Sequence, residues 1–109
     1  VARDAWEGET MQAQIVENWS DIVGELKEYY PSKDNERFVT LKIHVKDVKP
    51  VKGFRNLLEE AVGKTIEVNI PRDVANTLDL AAGLKVSCRV RRAGVKKVFV
   101  HPEIISTKK

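Results

Sequence analysis

The sequence predicts a mainly β protein, a small antiparallel barrel of five to six strands with two short helices. Three observations lead there. Several short stretches alternate apolar and polar residues with a period of two. Pro, Gly, Asn and Asp punctuate those stretches where turns are needed. The chain has 109 residues, enough for one core, and closing a sheet of short strands on itself hides the edges they would leave open.

Residues 1–10 are charged and lack the apolar centre of a secretory signal, so they are read as a flexible arm with Trp6 as its one candidate anchor. The chain opens on valine and its only methionine is Met11, which points to a processed product or an excised domain. Met11, Ala13 and Ile15 alternate with Gln12 and Gln14, predicting a first strand that continues towards Trp19. Residues 20–30 are open to two readings. Ser20 is placed to cap a helix whose face is Ile22, Val23, Leu26, Tyr29 and Tyr30, but Gly24 weakens that helix and a short strand fits as well. Pro31, Ser32, Asp34 and Asn35 form a turn.

From Phe38 to Val48 the alternation is clearest, with Val39, Leu41, Ile43 and Val45 on one face and Thr40, Lys42, His44 and Lys46 on the other. Pro50 and Gly53 end that strand. Asn56 and Glu59 then stand at capping-box spacing ahead of Ala61 and Val62, predicting a two-turn helix that Gly63 stops. Thr65 to Ile70 is a strand closed by Pro71, and Arg72 to Leu80 reads as a short helix bearing Val74, Ala75 and Leu78. Gly83 resets the backbone, and Val86, Cys88 and Val90 point inward from the next strand. Ala93-Gly94 turns the chain, and Lys97 to His101 returns antiparallel before Pro102. Residues 11–105 are therefore one domain, and residues 106–109 a C-terminal tail.

Composition narrows the function. The chain is 42% hydrophobic and 32% charged, and no apolar run approaches the roughly 20 residues of a spanning helix, so membrane insertion is not expected. Cys88 is the only cysteine, which excludes an internal disulfide and fits a reducing, cytoplasmic setting. With only His44 and His101 beside it, a four-ligand zinc site cannot be assembled from its usual residues, and no cofactor is expected. No phosphate loop and no local nucleophile–base set is present, and Cys88 falls on an inward strand face, so the sequence predicts a protein that is not an enzyme. The net charge of +3 is small but lopsided: residues 1–41 carry −5 and residues 42–109 carry +8.

The run from Phe38 to Ile105 resembles the oligonucleotide/oligosaccharide-binding (OB) barrel. The resemblance lies in element order: the alternating strand Val39 to Asp47, the strand Ile66 to Ile70, a helix over Val74 to Leu80, the Gly83 lead into a fourth strand and a hairpin to a fifth. A second, shorter stretch, Ile70-Pro71-Arg72-Asp73-Val74 with Leu78 to Val86, is similar to AbrB-type swapped-hairpin DNA-binding proteins. Its Leu-x-x-Gly-x-x-Val cadence also resembles TOBE modules, which would imply binding of a small anion.

The candidate binding residues are basic and aromatic. Lys42, His44 and Lys46 project in a row about 7 Å apart, near the spacing of successive phosphates on an extended strand. Alternatively the row is a solvated face that guards against edge pairing. Arg89, Arg91, Arg92, Lys96 and Lys97 crowd the last hairpin, which the OB resemblance places at the binding cleft. Phe99 faces outward between Lys97 and His101 as a platform for a base, or else packs under the N-terminal segment; Tyr30, with Tyr29, is a second candidate. The expected partner is nucleic acid, single-stranded and bound with little sequence preference. A protein partner or a second copy, drawn by the opposite charges of the two halves, is the alternative.

Overall fold

The computed structural model describes residues 17–94 and 97–108. They form one five-stranded sheet that closes in a ring in the order β1-β2-β3-β5-β4. The strands are β1 (Ser20–Pro31), β2 (Phe38–Pro50), β3 (Thr65–Pro71), β4 (Lys85–Gly94) and β5 (Lys97–Lys108), with a 3-10 turn at Glu59–Ala61 and one short helix, α1 (Arg72–Asn76). Every adjacent pair is antiparallel except β3 and β5, which meet in parallel at Asn69 and Phe99.

Period-two patterning fills the inside of the ring. Ile22, Leu26, Leu41, Ile43, Val45, Val68, Ile70, Val86, Cys88, Val90, Val98 and Val100 are all buried in one cluster. Each such aliphatic side chain stabilises the fold by about 1.5–3 kcal/mol. Residues 20–30 resolve as a strand, for a reason that lies at Gly24. This residue pairs with Val45 on one side and Val86 on the other, where β1 is shared by both halves of the ring. A Cβ there would overlap the His44 carbonyl oxygen and lie 2.7 Å from Ile43 Cγ2, so only glycine admits the approach.

Five expectations need correction. The strand expected to reach Trp19 does not include it: Asn18 makes an isolated bridge to Arg55 and β1 begins at Ser20. The rest of that predicted strand, residues 11–16, lies outside the described residues, as does Trp6. The two-turn helix after Asn56 is a single 3-10 turn, because Asn56 Oδ1 accepts from Leu58 N and from Ser20 Oγ, while β2 captures the following chain through Gly63 N to Val45 O and Val45 N to Lys64 O. The helix expected to reach Leu80 stops at Asn76. Thr77 Oγ1 donates to Val74 O at 2.7 Å, and Leu78 and Leu80 fold back onto the core.

The fourth correction is at Ala93-Gly94, which remains in β4, with Gly94 paired to Lys97. The fifth is that β5 passes Pro102, and residues 106–108, expected in a tail, pair with β4. Val90 opposes Val100 and Cys88 opposes Ile105, so four β5 residues stand against Arg89 alone; Pro102 lies in that bulge, where no ladder hydrogen bond is required of it.

Candidate nucleic-acid interface

Register, more than alternation, decides which outward side chains meet. Lys42 is flanked across both ladders by carboxylates, Glu28 on β1 and Glu67 on β3. Glu28 Oε2 lies 3.7 Å from Lys42 Nζ. His44 stands between Glu25 and Thr65, with Nδ1 3.4 Å from Thr65 Oγ1. The row breaks at Lys46, the extra residue where pairing shifts from Gly24–Val45 to Val23–Asp47. Tyr30 Oη donates to Glu67 Oε2 at 3.2 Å, and partial desolvation, then Glu67, raises its phenol above the ordinary value.

The basic hairpin is likewise divided. Arg89 donates through Nε and one terminal nitrogen to the two oxygens of Asp21, at 2.8 and 3.2 Å, and this pairing raises the guanidinium still higher. Arg92 opposes the inward-facing Val98 and so lies on the other side of β4 from Arg91. Its backbone is clamped by Asn18, whose Nδ2 donates to Arg92 O at 2.9 Å and whose Oδ1 accepts from Arg92 N at 2.8 Å. Lys96 lies outside the described residues. Arg91 and Lys97 are exposed, share the outer face with Phe99, and make no ion pair among the described residues.

Around Arg91 the outer face is aromatic. An open cleft is lined by Trp19, Phe38, Pro71, Arg91, Phe99, Val100, His101 and Pro102. Phe38 and Phe99 meet edge-on with centroids 5.5 Å apart, and the Trp19 and His101 rings stand 5.3 Å apart. Both phenylalanines and the tryptophan remain half-buried, with ring surface left to the cleft. The seam beneath is tied by one side chain: Asn69 accepts from Thr40 Oγ1 at 3.0 Å and donates to Val98 O at 3.2 Å, joining β2, β3 and β5. Across the ladders one outer row therefore reads Tyr30, Thr40, Asn69, Phe99, Arg91. Tyr30 stands about 14 Å along the sheet from Phe99, three strand spacings away, and does not line the cleft.

Of the residues that line this cleft, the sequence singled out Phe99 and Arg91 as candidates and passed over Trp19 and Phe38. Phe38 immediately precedes the inward Val39, so alternation alone turns it outward; Trp19 stands in the same phase as Asp21. Cys88 is buried, and desolvation with the nearby Asp21 charge pushes its thiol up to about 12, which keeps it protonated and unreactive at neutral pH. Among the described residues no cluster of three or more His, Cys, Asp or Glu could hold a metal ion, and no helix is long and apolar enough to cross a membrane.

No protein-family model matches the chain, and no curated protein matches it. A solved structure does: the dimeric N-terminal domain of a PriB protein from Thermoanaerobacter tencongensis, with a TM-score of 0.51 and 19% identity, covering 84% of this chain and 97% of that one. At this identity the likeness is one of fold. It agrees with the OB resemblance of Phe38 to Ile105 and lends nothing to the AbrB-type or TOBE patterns.

Proposed function

We propose that this chain is a non-enzymatic OB-type barrel domain that binds single-stranded nucleic acid across the Trp19–Phe38–Phe99 cleft. The observation that carries the reading is Arg91, which has no ion pair among the described residues and stands in the wall of a cleft that exposes three aromatic rings. Bases stack on such rings at about 1–3 kcal/mol each whatever their sequence, while cations alongside take the phosphates. Arg91 and Lys97, which share the outer face with Phe99, serve as the phosphate contacts. Arg89, Lys42, His44, Lys46 and Tyr30 are secondary, because Asp21, Glu28 and Glu67 occupy the best-placed of them.

A labelled oligothymidylate titrated by fluorescence anisotropy at two salt concentrations tests the reading. Binding is expected at low salt, with log K falling against log salt by about 0.7 for each neutralised phosphate. Because the PriB domain is dimeric, stoichiometry is to be read per protomer. No binding at low salt, or binding indifferent to salt, overturns the reading.

A further inference from the structure

We propose that the concavity on the far side of Phe38 and Pro71 reads the edge of a base, with guanine favoured; this rests on the single-strand reading above and adds a sequence preference to it. Phe38 and Pro71 are register partners at the last step of the β2–β3 ladder, and both line two concavities, the aromatic cleft and a second one beside it. A strand stacked on Phe38 therefore has its neighbouring nucleotide over the second concavity.

That second wall is made of opposite charges. Arg37 immediately precedes Phe38 and Arg72 immediately follows Pro71, and Arg72 N donates to Arg37 O at 2.8 Å, so the two arginines leave the ladder side by side. Glu36 and Asp73 line the same space. All four side chains are exposed, and none is ion-paired among the described residues. The loop that carries Glu36 and Arg37 is held in shape, since Asn35 Oδ1 accepts from Arg37 N at 2.9 Å and Asn35 O accepts from Phe38 N at 3.0 Å.

Two guanidiniums with two carboxylates sum to no net charge, which suits a phosphate poorly and a base edge well. Guanine is the base that offers a bidentate edge to each sign. Its N1–H and N2–H groups offer two adjacent donors to a carboxylate, and its O6 and N7 offer two acceptors to a guanidinium. Unstacked bases of a single strand present those edges freely.

The test compares a labelled oligothymidylate of about twelve nucleotides with the same strand carrying one internal guanine, adenine or cytosine. The guanine strand is expected to bind about five- to tenfold more tightly than the parent, and the adenine and cytosine strands less than twofold. The double variant Glu36→Gln with Asp73→Asn is expected to erase the guanine preference, while oligothymidylate binding is kept and tightens by about two- to fivefold, because Arg37 and Arg72 are left without the carboxylates that cancel them. Failure of the parent strand to bind removes the single-strand reading itself. Binding of the parent with no gain from guanine, a preference that survives the double variant, or an Arg37→Ala variant that weakens every strand equally, removes only this inference.

Discussion

Two outer faces of the same ring carry cations, and they differ in what stands beside them. On β2, Lys42 is bracketed in register by Glu28 and Glu67, and His44 by Glu25 and Thr65. On β4 and β5, Arg91 and Lys97 have Phe99 between them and Trp19 and Phe38 nearby, with no carboxylate paired to either among the described residues. A cation already next to a carboxylate gains little from a phosphate, because part of its field is cancelled before the ligand arrives. An unpaired cation on an apolar wall keeps its full attraction. Availability on a β surface is thus a property of cross-strand neighbours and not of the strand that carries the charge.

The sharpest way to break that contrast is to remove rings from one face and charge from the other. Phe99→Ala and Phe38→Ala are each expected to weaken oligothymidylate binding by about 1–3 kcal/mol, while Lys42→Ala changes it by less than about twofold. The two phenylalanines pack edge-on, so the double variant should lose less than the sum of the singles. Anisotropy titrations, on variants whose circular dichroism matches the parent, check both. Equal losses from Lys42→Ala and Phe99→Ala would abolish the distinction between the faces.

An intermediate effect is expected where the two faces meet. Arg89 shares the outer side of β4 with Arg91 but is held by both oxygens of Asp21. Asp21→Asn removes that charge and returns the guanidinium to the ligand. Binding at low salt is then expected to tighten by about two- to fivefold, with the salt slope steeper by about 0.7, one further phosphate. The lost pair is partly solvent-exposed, so stability should change little. An unchanged slope in the titration would mean that Arg89 lies off the ligand's path.

Alternation and turn residues made the frame of this molecule legible. The inward set from Val39 to Val45 and the set Val86, Cys88 and Val90 are core residues, and each reading needed only the period of two. What could not be read was register. Nothing local to Lys42 says that Glu28 and Glu67 will flank it, since those partners lie on other strands and depend on a bulge at Lys46 and a shift between Leu26 and Glu28. The aromatic cleft was hidden for the same reason, as Trp19, Phe38 and Phe99 are far apart in sequence and meet only once the ring closes through Asn69. Gly24 was ambiguous because its role is a close approach to the β2 backbone, which has no sequence signature beyond the glycine itself.

The smallest expected effect probes the occupied face in the same manner as Asp21→Asn probes the boundary. Glu28→Gln removes the carboxylate 3.7 Å from Lys42 Nζ, so a pairwise view would free Lys42 for a phosphate. Glu67 remains in register on the other side, and its carboxylate is oriented by the Tyr30 hydroxyl, which persists in the variant. The local field therefore stays largely cancelled, and affinity is expected to change by less than about twofold, with no gain in salt slope. A slope that steepens as much as in Asp21→Asn would show that Lys42 was held back by a single neighbour. The lysine face would then be a second track, idle only while Glu28 is charged.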